Sequence, residues 1–242
     1  MEFKVGDFVT RKKHVHDFVF KIVNISKNKA TLIGKNVRLC ADCYLDELTH
    51  LKEERNLQEE VSLPIQKGSY LNGKVLHLDS DIDYLKRSMR LYEQYKVPAI
   101  GYKLDEREMP SKIMELLNLH HPDILIITGH DSIDDFGRNV NTPFFVECVK
   151  RARTYQPSKD ALCIISGACF SSFKDLINEG SNISSSPGRV SINVLDPAKV
   201  AIMIATTSVK EYVDLPKIID LTSNKSKGIG GIETKGFARK IY

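Results

Sequence analysis

The stretch HPDILIITGHD, residues 121–131, indicates the fold of most of this chain. Its centre is a continuous apolar run, which is typical of a strand buried on both faces of a parallel sheet. In both directions from this stretch, short apolar runs alternate with amphipathic segments. The alternation predicts strands joined by right-handed helical crossovers. We therefore expect an α/β fold with a mainly parallel sheet flanked by helices.

Five strands and the helices between them can be placed from local signals. Asp79 and Ser80 are predicted to cap the first helix, Thr142 with Pro143 begins the third, and Gly180 ends the fourth. Residues 184–188 are predicted to form a loop, and GIGGIETKG, residues 228–236, a mobile glycine loop beside a substrate groove. The five predicted strands are KVLHLD (74–79), PAIGYKL (98–104), DILIIT (123–128), ALCIIS (161–166) and RVSINVL (189–195).

The amino-terminal part has a different pattern. Short β-rich runs are separated by turn residues such as Gly6 and Gly34, which favours a small antiparallel barrel. We predict two domains, an SH3-like β-barrel over residues 1–62 and the α/β domain over residues 63–242.

Composition limits the function classes. The chain is 42% hydrophobic and carries a formal net charge of only +4, so its charge does not require a nucleic-acid partner. The basic residues of 11–14 are interpreted as a solvated turn rather than as a nucleic-acid site. The sequence shows neither a signal peptide pattern nor an apolar run that could span a membrane. We therefore expect no membrane partner, and five cysteines without disulfide spacing favour free thiols in a reducing cytoplasm.

A thiol and an imidazole follow consecutive strands. The third strand ends at Gly129-His130 and the fourth at Gly167-Ala168-Cys169. Because ligands of parallel sheets bind beyond the carboxyl ends of the strands, both groups are expected at one edge. Cys169 at a strand-to-helix turn suits a thiolate nucleophile, and His130 suits an acid or base. The small residues Gly167 and Ala168 would let a peptide lie close and could supply oxyanion donors.

Other motifs allow two interpretations. Asp131, Asp134 and Asp135 are more simply a solvated polar loop, although they could orient the imidazole or receive a basic side chain. CADC, residues 40–43, has the spacing of half a zinc site, but no second pair follows it, so we predict no metal. Cys148 and Cys163 lie within apolar segments and are predicted to be packing residues.

The blocks LIITGHD and IISGACFSS resemble the two-block pattern of caspase-like cysteine peptidases, in which an apolar strand ends at the catalytic His and the next at Ala-Cys. More specifically, nearly the whole chain is similar to the YabG family of sporulation-specific proteases of endospore-forming bacteria. The similarity extends through GDFVTRK, NVRLCADCYLDEL, FFVECVKRARTY and SSSPGRVSINVLDPAKVA.

This resemblance implies a cysteine endopeptidase with a caspase-like fold, Cys169 as nucleophile and His130 as general acid/base. It further implies spore-coat proteins as substrates, cleavage after Arg, no cofactor, and a location in the cytoplasm of the sporulating cell in association with the spore coat. Caspase-like peptidases have a Gly after the His, whereas this chain has Gly129 before it and Asp131 after it. The candidates for substrate binding in place of that Gly are Gly129, where a substrate could lie close to the backbone, and Asp131, whose backbone N–H could donate to it. The alternative is a non-catalytic scaffold of the spore coat.

Overall fold

The computed structural model describes residues 2–51, 61–65 and 68–242. The chain divides into two compact units, residues 1–62 and 63–242.

The first unit contains a five-stranded antiparallel sheet in the order β4-β3-β2-β1-β5. Alternate side chains of these strands form an apolar core around Phe20 and Leu32, both fully buried. The predicted antiparallel β structure is confirmed, and closure into an SH3-like barrel stays a prediction. The strands are β1 (Phe8–Arg11), β2 (Phe20–Ser26), β3 (Lys29–Gly34), β4 (Cys40–Tyr44) and β5 (Leu48–His50), with 3-10 turns at Lys12–His14 and Leu45–Glu47.

The second unit alternates strands and helices, as predicted. Its strands are β6 (Tyr70–Leu71), β7 (Val75–Asp79), β8 (Ala99–Lys103), β9 (Ile124–Thr128), β10 (Cys163–Ser166), β11 (Ile183–Ser185), β12 (Ile229–Gly231) and β13 (Arg239–Lys240). Its helices are α1 (Ile82–Gln94), α2 (Met109–His120), α3 (Thr142–Tyr155), α4 (Phe173–Glu179), α5 (Asp196–Thr206), α6 (Leu215–Asp220) and α7 (Lys225–Gly228). None of the helices in the described ranges is both long and apolar enough to cross a bilayer.

The main sheet has six strands in the order β12-β11-β10-β9-β7-β8. Five of these strands are parallel to their neighbours, namely β8, β7, β9, β10 and β11. The edge strand β12 pairs antiparallel with β11. Every residue of β9 is buried, which confirms the interpretation of its apolar run. Because β9 and β10 are parallel neighbours, with Ser166 opposite Ile127, the turns after them leave the sheet at the same edge.

The predicted fifth strand, RVSINVL, is wrong. The strand beside β10 is Ile183–Ser185, which overlaps the predicted loop of residues 184–188. These serines tolerate burial because their hydroxyls have acceptors: Ser184 donates to the carbonyl of Ser166 and Ser185 to that of Gly167. The alternation of RVSINVL has another cause, since Ile192 and Val194 are buried outside the sheet.

The predicted glycine loop at residues 228–236 is also partly wrong. Its first residues form β12, which pairs with β11 at the edge of the sheet. A Cβ at Gly231 would lie 2.4 Å from the carbonyl oxygen of Asn182, so the absence of a side chain permits the close approach of the chain. The glycines therefore serve packing here.

Candidate active site

His130 follows β9 in a tightly packed turn. A Cβ at Gly129 would lie 2.5 Å from Glu106 Oε1 and 2.7 Å from Ser80 Oγ, so a larger residue here would require these side chains to move. The same Oε1 accepts the backbone N–H of His130 at 2.7 Å and the hydroxyl of Ser80 at 2.6 Å. The backbone of His130 is thus held by a carboxylate from the loop that follows β8.

The imidazole of His130 faces a carboxylate. Its Nε2 lies 3.6 Å from Oδ2 of Asp81, an ion-pair distance longer than a hydrogen bond, and the ring packs against Tyr84 with centroids 5.6 Å apart. Among the described residues, neither ring nitrogen has a hydrogen-bond partner. Both ring nitrogens are buried, and an imidazole without other hydrogen bonds among the described residues can carry a proton to or from a substrate that reaches it.

Asp81 was missed by the sequence reasoning, which placed the cap of α1 at Asp79 or Ser80. Oδ1 of Asp81 accepts the amides of Asp83 at 2.8 Å and Tyr84 at 3.0 Å, so it is the N-cap. Burial raises the pKa of Asp81, but the imidazole of His130 and the amide of Tyr84, together with the charge of His130, outweigh it and hold this pKa below the ordinary value of 3.8. Asp81 is therefore ionised beside His130. The local signal was an acid directly before the first apolar helical residue.

Cys169 follows β10 in a strained turn. Gly167 has φ +101° and Phe170 has φ +61°, conformations that non-glycine residues rarely adopt. The thiol is fully buried, and its Sγ accepts the backbone N–H of Ile192 at 3.2 Å. The sequence predicted an accessible sulfur, so the burial is a difference from that expectation.

The segment of residues 187–195 contacts the thiol through the backbone N–H of Ile192. It begins after the end of β11 and is fixed to the α7 region by the Gly188 amide, which donates to the carbonyl of Lys227 at 2.9 Å, and by the side-chain amide of Asn224, which donates to the carbonyl of Ser191. Ile192 is itself fully buried. We call residues 187–195 the cover segment.

The turns that carry His130 and Cys169 contact each other. The hydroxyl of Ser171 donates to Oδ2 of Asp131 at 3.0 Å, and Asn139 donates from its side-chain amide to the carbonyl of Phe170 at 2.9 Å. The parallel neighbours β9 and β10 therefore bring the thiol turn and the imidazole turn to one edge, as their order in the sequence indicated.

The predicted oxyanion donors already have acceptors in this structure. The amide of Gly167 donates to the carbonyl of Ile127 at 3.0 Å, and the amide of Ala168 donates to Ser171 Oγ at 2.9 Å. Gly129 packs against Glu106. The roles of Gly129, Asp131, Gly167 and Ala168 toward a substrate stay predictions.

The favoured interpretation of the aspartates as a solvated loop is wrong for Asp131, which is only 7% exposed. It is confirmed for Asp135, which is exposed, and for Asp134, which is partly exposed and pairs with Arg138 at 2.9 Å. The side chain that faces the imidazole is Asp81 rather than any of these three. Position directly after His130 in the sequence was thus a poor guide to which carboxylate faces its imidazole.

Comparison with known proteins bears on what this edge of the sheet does. A family model described as YabG peptidase U57 matches residues 4–71 and 55–242, which together include nearly the whole chain. This chain belongs to the YabG peptidase family. It is 35% identical over 282 aligned residues to the sporulation-specific protease YabG of Bacillus subtilis (strain 168), an alignment that covers 99% of this chain and 97% of the relative. The resemblance to the YabG family is confirmed, and with it a peptidase of sporulation.

Other cysteines of this YabG-family chain are poorly suited to nucleophilic chemistry. Burial raises the pKa of Cys163 to about 12 and raises that of Cys148 well above its ordinary value. Burial, and then a hydrogen bond to Glu47, raises the pKa of Cys43. Since the thiolate is the nucleophile, these raised pKa values disfavour a nucleophilic role for Cys148 and Cys163, and both are fully buried, as expected for packing residues.

Proposed function

We propose that this YabG-family protein is a cysteine endopeptidase with Cys169 as nucleophile and His130 as general acid and base. The observation that carries the proposal is that neighbouring parallel strands present a thiol turn and an imidazole turn that contact each other, with an ionised carboxylate beside the imidazole. A nucleophile, a proton carrier and a group that orients the carrier are the parts that such a reaction needs.

The reaction balances with these groups alone. His130 receives the thiol proton, and the sulfur of Cys169 forms a bond to the scissile carbonyl carbon. The carbon–nitrogen bond then breaks as the imidazolium gives its proton to the leaving amine, which leaves a thioester on the enzyme. Water attacks the thioester, and the products are a carboxylic acid and the regenerated thiol.

The finer description of the substrate belongs to the same proposal. The sporulation-specific name of the Bacillus subtilis relative supports spore proteins as substrates, with the spore coat as the place of action. The similarity to caspase-like peptidases supports cleavage after Arg in a caspase-like fold. A pocket that selects Arg needs a carboxylate to pair with the buried guanidinium.

The test is cleavage of a peptide library by the native protein and by the Cys169→Ala variant, with the cut sites mapped by mass spectrometry. New carboxyl termini at Arg, produced by the native protein alone, support the proposal. A non-catalytic scaffold of the spore coat, which a fully buried thiol would suit, produces none.

Access to the thiol requires the cover segment to move. We expect iodoacetamide to label Cys169 slowly in the native protein and about tenfold or more faster in Asn224→Ala, which removes the side-chain bond to Ser191. Gly188→Ala should act in the same direction, because its Cβ would lie 2.9 Å from Cβ of Lys227. Peptide mapping of the labelled protein gives the rate at Cys169.

Asn118→Ala is the matched control for the cover segment. It removes a similar bond, from an asparagine side chain to the carbonyl of Met114, on the exposed side of α2. Equal labelling rates in Asn224→Ala, Gly188→Ala and this control would show that the cover segment does not limit access.

Asp81→Asn tests the carboxylate beside His130. Asparagine caps a helix as well as aspartate does, so α1 keeps its cap while the charge is lost. We expect kcat to fall about 10- to 100-fold because the imidazolium loses its counter-charge. Steady-state kinetics with a peptide substrate measures the change, and an unchanged kcat would remove Asp81 from the mechanism.

The same variant has a signature in acid. Because the folded pKa of Asp81 is depressed, its contribution to stability is fully present above pH 3.8 and is lost as the pH falls through the lower folded value. The native protein should therefore exceed Asp81→Asn in stability at neutral pH, and the difference should shrink below pH 3.8. Urea unfolding at several pH values measures it.

A further inference from the structure

Asp131 is a buried carboxylate that accepts five hydrogen bonds. Its Oδ1 accepts the amides of Ser132 at 2.9 Å and Asn141 at 2.8 Å. Its Oδ2 accepts the hydroxyl of Thr142 at 2.5 Å, the hydroxyl of Ser171 at 3.0 Å and the side-chain amide of Asn139 at 3.3 Å. All five partners are donors, so both carboxylate oxygens of Asp131 act as acceptors that hold the surrounding groups in place.

One of these bonds leads to the thiol turn. Ser171 donates its hydroxyl proton to Asp131, and its Oγ accepts the amide of Ala168 at 2.9 Å. A short chain of hydrogen bonds therefore joins the residue after His130 to the residue before Cys169. The hydroxyl orientation is fixed, because a carboxylate can only accept.

A second connection holds the other side of the same turn. The side-chain amide of Asn139 donates both to Asp131 and to the carbonyl of Phe170, the residue after Cys169. Phe170 has φ +61°, and a strained backbone of this kind persists only where the surrounding contacts hold it. Asp131 is thus connected to the residues on both sides of Cys169, to Ala168 through Ser171 and to Phe170 through Asn139.

We infer that Asp131 is a positioning residue that fixes the thiol turn relative to the imidazole turn. The inference rests on the proposed function, since it assigns a task in that reaction. Asp131 does not act on the substrate with its side chain; it acts through Ser171 and Asn139. A displacement of about 1 Å between the reacting groups can cost about 100-fold in rate, so such a support affects kcat more than substrate affinity.

Asp131→Asn in the full chain is the test. The asparagine amide has the size of the carboxylate, but its NH2 group would face donors that need an acceptor, above all Asn139. We expect kcat to fall about 10- to 100-fold while KM changes less than about threefold. Ser171→Ala should lower kcat similarly, and the double variant should be little worse than the poorer single variant, because both break one chain.

Asp134→Asn is the control. It lies in the same loop, and its side chain bonds to Arg138 and to the amides of Phe136 and Arg138, all within that loop. Its kcat should remain native. Thermal unfolding shows whether each variant is folded at the assay temperature. If Asp131→Asn does not fold, the single variants Ser171→Ala and Asn139→Ala provide the test instead.

The outcomes separate this inference from the proposed function. A native kcat in Asp131→Asn would overturn the inference, and so would losses that multiply when Asp131→Asn and Ser171→Ala are combined. In either case, an inactive Cys169→Ala would still support the proposed peptidase. Cleavage by Cys169→Ala at the native rate, or no cleavage by the native protein, would overturn both. A loss of kcat confined to Asp131, Ser171 and Asn139, with Asp134→Asn native, supports it.

Discussion

Replacing Cys169 by alanine should lower peptide cleavage by at least about 1,000-fold, because the covalent intermediate cannot form without the sulfur. The turn itself should survive. Alanine keeps the backbone between Gly167 and Phe170, and the substitution removes the hydrogen bond that the Ile192 N–H donates to Sγ. The rate is measured from the new termini that are released when an Arg-containing peptide is cleaved.

Cys163→Ala is the matched control for this prediction. Both cysteines are fully buried, and Cys163 lies in β10 close to Cys169 in sequence. The substitution deletes a small buried group and costs stability of about 1 kcal/mol, but it removes a thiol whose pKa burial raises to about 12. We expect most activity to remain. If Cys169→Ala cleaved at the native rate and Cys163→Ala did not, the proposed assignment of Cys169 as the nucleophile would be wrong.

Replacing His130 by alanine should lower peptide cleavage about 100- to 10,000-fold, the usual contribution of a general acid or base. The leaving amine must be protonated as the carbon–nitrogen bond breaks, and His130 supplies that proton in the proposed reaction. An activated ester of the same amino acid has a leaving group that needs no proton. We therefore expect His130→Ala to lose much less activity toward the ester than toward the peptide, whereas Cys169→Ala should lose both.

His120→Ala controls for the loss of an imidazole elsewhere. His120 ends α2, where its Nε2 pairs with the hydroxyl of Tyr102 at 2.7 Å rather than with a residue of the thiol turn or the imidazole turn. Its variant should cleave peptide and ester at rates near the native ones. Equal losses on peptide and ester in His130→Ala would contradict the acid role and favour a role in forming the thiolate.

Several features could be read from local sequence. The apolar run of β9, the stop of α4 at Gly180 and the order of strands and helices depend on neighbours within a few residues, so periodicity and capping chemistry reveal them. The placement of His130 and Cys169 at one edge followed from the same order, since parallel neighbours end on the same side.

Other features depend on residues far apart in the chain. The sequence alone predicts a loop at the serines of β11, because the carbonyls of Ser166 and Gly167, which accept their hydroxyls in the core, come from a distant part of the chain. The segment 189–195 alternates like a strand, yet its apolar residues pack elsewhere and Ile192 lies over Cys169. An alternating pattern fits both a strand in the sheet and a segment packed outside it. Alternation indicates which side chains are buried, but it does not indicate which part of the chain they pack against.

The sequence by itself therefore determined the α/β order of the second unit, the thiol and imidazole at the ends of adjacent strands, and the family. Tertiary structure alone decided that Asp81 faces His130, that Ser171 joins Asp131 to the thiol turn, and that Ile192 lies against the sulfur. The physical reason is the range of the interactions. Helix and strand preferences act over a few residues, whereas the partner of a buried carboxylate or thiol is set by which distant segments the sheet brings together.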